Sequence, residues 1–407
     1  MVPSIDILDY DYPLPDSRIA KYPLPRRDAS KLLYYDGGAV REYVFSDLPS
    51  LLPPSSLLIF NDTKVVPARL FFRRGSGARI EVFCLEPQQP ADFESCFAAT
   101  QRCDWKCVIG NAKRWKDDLL RFDGSSPELD ALHLQAGLLS RDGRTGCVRF
   151  QWEGGVPFSK VLEECGKVPI PPYLNRETED IDLERYQTTY ARIRGSVAAP
   201  TAGLHFTDAT FEALRGRGVE LHRVCLHVGA GTFLPVKERM VEHHPMHREP
   251  FEVNADLLER LLEAKRSGTP VTAVGTTSVR TLESLYYAGV SCIENGAPAD
   301  IGQWTPYERG YDYSLEECLE ALLRYLTEQG SDRLCIGTRI IIVPGFTFRI
   351  VDRLITNFHQ PQSTLLLLIS AFLDGDWKTV YRYALEHDFR FLSYGDSSLL
   401  CRKRNNL

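Results

Sequence analysis

The sequence has no apolar run that could cross a bilayer. Its longest, Leu365 to Ile369 with flanks, falls far short of the roughly 20 residues a membrane helix needs. The opening Met1-Val2-Pro3-Ser4-Ile5-Asp6 lacks the basic and apolar stretches of a secretory signal. Together these absences predict a cytoplasmic protein with no membrane partner. An excess of positive charge is also lacking. The net charge of −6 excludes attachment to nucleic acid by bulk charge alone, but leaves room for a local basic patch. The eleven cysteines follow no repeated spacing, and their odd number in this setting argues against a disulfide framework. Cys103 and Cys107 have no third cysteine close behind, so an iron–sulfur cluster finds no ligand set. Most of the cysteines read as small core residues. There is no fixed-period repeat, no low-complexity segment and no Walker phosphate loop.

What is present is ordinary for a folded chain. With 407 residues, 43% hydrophobic and 25% charged, it can build two or three domains around a large core. Residues 66–153 differ from the rest. Short β-type runs such as Arg79 to Leu85 and Cys147 to Trp152 alternate with Gly, Asp and Ser turns, the pattern of a small all-β barrel. The expected fold is an α/β main domain with a mixed sheet, built from 1–65 and 154–407 as the catalytic part, with an inserted small all-β barrel domain at 66–153. The insertion holds 13 Lys+Arg against 12 Asp+Glu, while the remainder holds 35 against 42, so it is relatively basic. In the main domain, Leu57 to Phe60, 219–228 and 271–274 read as strands. Asn254, Asp208 and Ser363 are placed to cap helices, and the helix after Gly275 is expected to close at Gly289.

Three times a short apolar stretch runs into a polar loop: Leu226-His227-Val228 into Gly229-Ala230-Gly231-Thr232, Val271 to Val274 into Gly275-Thr276-Thr277-Ser278, and Leu354-Ile355-Thr356 into Asn357 to Ser363. Strand carboxyl ends form the ligand rim of α/β folds, so these loops predict one composite pocket. The start of a helix at Thr276, Thr277 and Ser278, with Arg280 beyond, suits a carboxylate. A helix cap with a surface arginine explains the same residues. The Gly-x-Gly at 229–231 allows close approach of a ligand but is not a full dinucleotide fingerprint. His205, His227, His244, His247 and His359 can each move a proton near neutral pH, whereas His133, His222 and His387 read as structural. A metal site at His243, His244 and His247 is a rival, although the Glu of the His-Glu-x-x-His zinc pattern is missing.

Taken together, the ordered blocks resemble the S-adenosylmethionine:tRNA ribosyltransferase-isomerase family of queuosine synthesis, over nearly the whole chain. They are Pro25 to Ser30, Phe60 to Leu70, Val197 to Thr207, Leu226 to Val236, His244 to Glu249, Gly275 to Ser284, Pro344 to Phe346, Thr356 to Phe372 and Phe391 to Asp396. The resemblance implies an α/β domain with an inserted barrel. It also implies an enzyme that moves the ribosyl part of S-adenosylmethionine onto 7-aminomethyl-7-deazaguanine at the tRNA wobble position and isomerises it to epoxyqueuosine, releasing adenine and methionine. S-adenosylmethionine is then a consumed substrate and no cofactor is expected. The partners would be that tRNA and S-adenosylmethionine, and the chain would act as a monomer. The implied acid–base set is His205, His227, His244, His247 and His359, with Glu249 as orienter. Asn61, Asp62, Thr201, Gly203, Gly229, Gly231, Thr232, Thr276, Thr277, Ser278, Arg280, Asn357, Gln362 and Ser363 would bind substrate without a metal. Arg69, Arg73 and Arg74 would meet tRNA phosphates. The chain departs from the family pattern at about 301–339, an extra helical insert with Leu315, Leu319, Leu322, Leu323 and Leu326 on one face. His359-Gln360-Pro361 has Gln where Leu is commoner. A metal-dependent hydrolase using the histidine cluster, or a non-catalytic tRNA-binding paralogue, remain as other readings.

Overall fold

The computed structural model describes residues 2–116, 118–124, 131–229, 236 and 238–402. A nine-stranded mixed sheet runs in the order Arg333–Thr338, Glu249–Asn254, Glu220–Leu226, Leu57–Asn61, Val271–Val274, Arg353–Asn357, Ser397–Cys401, Lys31–Asp36, Ala39–Val44. The four strands Glu220–Leu226, Leu57–Asn61, Val271–Val274 and Arg353–Asn357 are parallel. Parallel strands are covered on both faces, which is why Leu57–Asn61 and Val271–Val274 are buried at every position. Because these strands point the same way, their polar loops emerge along one edge of the sheet.

The second body is a closed barrel of six antiparallel strands: Arg69–Arg73, Arg79–Gln89, Arg102–Gly110, Leu120–Phe122, Gln135–Asp142 and Thr145–Gln151. Alternation along Arg79–Gln89 sends Ile80, Val82 and Cys84 inside and leaves Arg79 and Glu81 outside. Closure removes the sheet edges that would otherwise invite aggregation. All eleven cysteines are free, most of them buried.

Asn254 caps the helix Ala255–Ser267 by accepting from the Leu257 N–H at 3.0 Å, and Ser363 caps Thr364–Phe372 through the Leu366 N–H at 3.2 Å. Two expectations need correction. Thr207, not Asp208, caps the helix Asp208–Gly216, accepting from the Thr210 N–H. The helix Thr276–Asn295 runs past Gly289. Gly289 marks a close crossing instead of an end: a Cβ there would stand 2.4 Å from the Cys318 carbonyl oxygen. Cys318 lies on the helix Leu315–Gln329, whose Leu315, Leu319, Leu322 and Leu326 are buried in the same core and whose Leu323 is half-buried against it. No helix of the described residues is long and apolar enough to cross a membrane.

Candidate active site

At the end of Val271–Val274, Gly275 takes a φ of 85°, in the left-handed region that favours glycine. The chain then turns into the helix Thr276–Asn295, with no side-chain cap. Thr276 and Thr277 line a cavity of about 150 Å3. Ser278 does not: its hydroxyl donates back to the Val274 carbonyl at 2.7 Å and is fully buried. Arg280, one turn on, is buried and lines the cavity. Its Nε donates to the Ile340 carbonyl at 3.1 Å, and its Nη1 donates to the Glu249 carboxylate. Its Nη2 is buried and makes no hydrogen bond. A buried unpaired donor is costly, so this group is placed to be satisfied by something that enters the cavity.

The strand Arg353–Asn357 delivers the opposite wall. Asn357, His359 and Ser363 line the cavity, and Thr201 joins them from the turn Thr201–His205 by donating to Asn357 Oδ1 at 3.0 Å. The His359 backbone is clamped: its N–H donates to the Tyr381 hydroxyl at 3.0 Å and its carbonyl accepts from the Tyr12 hydroxyl. The imidazole Nε2 meets Thr356 Oγ1 at 3.1 Å, and burial holds its pKa down at about 3. His244 and His247 complete the rim with Glu249. The His244 pKa is lowered by burial first and by the neighbouring His247 second.

Val228 and His247 also line a much larger cleft, about 1590 Å3, between the sheet edge and the barrel. His227 and Gly229 face this cleft. His227 Nδ1 meets Thr63 Oγ1 at 3.2 Å and its ring lies 5.0 Å from that of Phe93. Burial lowers its pKa to about 4. His205 sits behind the inner cavity, with Nδ1 2.9 Å from Ser30 Oγ and Nε2 3.3 Å from Asn357 Nδ2. Burial brings it, too, to about 4. All three rings are therefore neutral near pH 7, able to accept a proton but not to donate as imidazolium.

Asn61, Asp62, Gly203 and Gln362 of the expected set line neither space. The Asn61 side chain mainly holds backbone, donating to the Leu226 carbonyl at 2.9 Å and accepting from the Leu226 and Thr63 N–H groups, and its Nδ2 also reaches Thr277 Oγ1 at 3.5 Å. Asp62 is buried with Oδ1 unpartnered, and burial lifts its pKa to about 6. Gly203 makes room for Tyr190, whose hydroxyl would lie 1.9 Å from a Cβ there. Gln362 takes a positive φ of 53° and its N–H donates to the Tyr10 carbonyl. Gly231 and Thr232 lie outside the described residues. Arg69 borders the cleft and pairs with Glu81 at 2.7 Å; Arg73 pairs with Asp123, and Arg74 with Asp118 at 2.8 Å.

Sequence reasoning missed Tyr186, which lines the inner cavity with a buried hydroxyl that makes no hydrogen bond. Tyr173 and Ser393 lie beside it, joined at 2.6 Å. Nothing local distinguishes these tyrosines from core aromatics. Gly195 was missed as well. At φ 151° within the strand Ile193–Ser196, a Cβ would stand 2.6 Å from the His227 ring. A glycine inside a strand is the available signal for such an approach.

The sequence matches the queuosine biosynthesis protein family over residues 7–400. An S-adenosylmethionine:tRNA ribosyltransferase-isomerase of Trichlorobacter lovleyi is 38% identical over 397 residues, 97% of this chain and 99% of that protein. One from Citrifermentans bemidjiense is 38% identical over 396 residues, 96% and 98% of the two chains. Among solved structures, an S-adenosylmethionine tRNA ribosyltransferase from Thermotoga maritima is 27% identical, covering 96% of this chain and 99% of its own, with a TM-score of 0.46. On the full-length match and these relatives, the chain belongs to the queuosine biosynthesis family of S-adenosylmethionine:tRNA ribosyltransferase-isomerases.

Proposed function

We propose that the chain moves the ribosyl group of S-adenosylmethionine onto 7-aminomethyl-7-deazaguanine at the tRNA wobble position and isomerises it to epoxyqueuosine. Three bonds form: from the amine nitrogen to a ribosyl carbon, between the two carbons that close the cyclopentane, and from oxygen to carbon in the epoxide. Three break: to adenine, to the methionine sulfur and one ribose C–O bond. The amine and C5′ each give up a proton, of which adenine takes one and solvent the other. The observation that carries this reading is the joining of two unlike spaces at Val228 and His247. The inner cavity is small and has an unpartnered Arg280 N–H on its wall. At about 150 Å3 it lies below the roughly 300–1,000 Å3 of sites that enclose a drug-sized ligand. A sulfonium nucleoside seated there extends into the cleft, where a tRNA base can reach it.

In this reading Thr276, Thr277 and Arg280 hold the methionine carboxylate, and Glu249 steadies the guanidinium. The sulfonium acidifies the ribose C5′ hydrogens, and a neutral histidine is the base such a step needs. His359, His244 and His247 border the inner cavity and are the candidates; His227, in the cleft, is placed to meet the incoming amine. His205 acts through Asn357. The rival metal reading lacks a geometry to support it, since no three His, Cys, Asp or Glu side chains gather to hold an ion among the described residues.

Incubation with S-adenosylmethionine and tRNA carrying the aminomethyl base, followed by nucleoside analysis, tests the proposal. The expected products are the epoxyqueuosine nucleoside with adenine and methionine in equal amounts. Tight tRNA binding with no adenine release would instead support a non-catalytic binder. Sedimentation of the purified chain checks the expectation of a monomer.

A further inference from the structure

Outside the two spaces described, Arg27, Arg185 and Arg390 converge on a small recess with Ser30, His205 and Ser393. The three arginines come from distant parts of the chain, and all are half-buried. Arg390 has a carboxylate, Asp396, at 3.2 Å. The other two make their hydrogen bonds to backbone carbonyls. Arg27 donates to Leu204 at 3.1 Å and to Glu184 at 2.9 Å. Arg185 donates to Leu24 at 2.6 Å and to Pro25 at 3.4 Å. Carbonyl oxygens orient a guanidinium but leave its charge in place. The Nε of Arg185 is buried with no partner at all. Burial, and then the nearby Arg185, pull the Arg27 pKa below its ordinary value, outweighing the opposite effect of Glu184, as expected where like charges meet away from water.

We propose that this recess binds a phosphate, and that the phosphate belongs to the tRNA backbone. The site stands on the arginine geometry; only the source of the phosphate rests on the function proposed above. Guanidinium groups match phosphate oxygens through paired N–H donors, and an anion here satisfies the open Arg185 N–H. The recess holds about 20 Å3, room for one water-sized group. One phosphate oxygen enters while the rest of the group stays at the mouth, an arrangement that suits a phosphodiester on a chain. Ser393 lines the inner cavity as well as the recess, and His205 touches Asn357 of the cavity wall at 3.3 Å. A backbone phosphate held here would fix the tRNA one layer of side chains from the reacting groups.

The test uses the full chain and measures tRNA affinity against salt for the parent, Arg185→Gln, Arg27→Gln and Arg185→Lys. S-adenosylmethionine binding, which the recess does not contact in this proposal, reports that each variant is folded. Loss of one phosphate contact lowers the slope of log affinity against log salt by about 0.7–0.9 and weakens tRNA binding about 3-fold. Arg185→Gln and Arg27→Gln should both show this, with Arg185→Lys closer to the parent. An unchanged slope in the folded glutamine variants overturns the proposal. Should Arg185→Gln fail to bind S-adenosylmethionine, Arg27→Gln and Arg185→Lys decide. If inorganic phosphate raises the melting temperature of the parent but not of Arg27→Gln, and the slope is unchanged, the recess takes a free anion and the tRNA source is wrong. A parent protein that binds no tRNA would instead defeat the proposed function itself.

Discussion

The main-sheet edge and the root of the barrel both carry arginines, yet the two regions handle charge differently. At the barrel root, Arg69, Arg73 and Arg74 each face a carboxylate, and Arg73 is largely exposed. At the sheet edge, Arg280 is buried on Glu249 and still has an open N–H, and Arg27 and Arg185 lean on carbonyls. Counting Lys and Arg along the sequence marks the barrel as the basic part. The geometry shows a carboxylate facing each root arginine of the barrel, whereas Arg280 keeps an open N–H beside Glu249 and Arg27 and Arg185 hydrogen-bond to carbonyls. What matters for a ligand is the charge and hydrogen-bonding capacity left over after folding, and that is greater where water is scarce.

The sharpest way to break this contrast is Arg280→Met. It takes the guanidinium away from the buried Glu249 carboxylate, and losing one partner of a buried pair costs about 3–5 kcal/mol. Urea unfolding should show a loss of that size together with loss of adenine release; a loss under about 1 kcal/mol would place the pair in water. Next is the pH profile. His205, His227 and His359 have native pKa values lowered to about 4, 4 and 3, against about 6.5 in the unfolded chain. Below pH 6.5 the unfolded chain binds more protons than the native one. Their stabilisation is therefore complete above pH 6.5 and is lost as pH falls towards 4. Each histidine contributes a slope of about 1.4 kcal/mol per pH unit in that window. Denaturation at stepped pH should show the decline, and His359→Gln should remove about one proton from the slope; an unaltered slope would mean that His359 is solvated.

A smaller effect is expected for Tyr186→Phe. Removing one hydroxyl that meets ligand only after binding should weaken S-adenosylmethionine binding about 2- to 10-fold, with stability kept, as titration calorimetry would show. Smallest of all, Arg73→Ala at the barrel root should change stability by less than about 1 kcal/mol, because exposed ion pairs contribute little. A larger thermal shift there would erase the difference between the regions.

The sheet was legible where apolar runs end in glycine or polar loops. Leu57–Asn61 and Val271–Val274 lie where the runs predicted them, and Asn254 and Ser363 cap as their spacing required. Gly289 misled because glycine serves both as a helix stop and as a gap for a crossing helix, and only the position of Cys318 separates the two. In the site, Thr276, Thr277, Asn357 and His359 share one cavity, so two of the three strand-end loops meet as expected, whereas His227 and Gly229 of the third face the larger cleft. Asn61 and Ser278 are also polar and follow similar strands, but their polar atoms are mainly taken by Leu226, Thr63 and Val274, with Asn61 Nδ2 reaching the site only through Thr277 Oγ1 at 3.5 Å.

Composition, periodicity, caps and ordered blocks lie within short windows, so the sequence alone determined the element types, the strand-end loops and the family. Which polar groups remain free is a matter of contacts across long separations. Ser30 meets His205, Glu249 meets Arg280, and Thr201 meets Asn357 only once the sheet has formed. A hydrogen bond or ion pair depends on ångström distances and on the exclusion of water, and tertiary packing alone sets both.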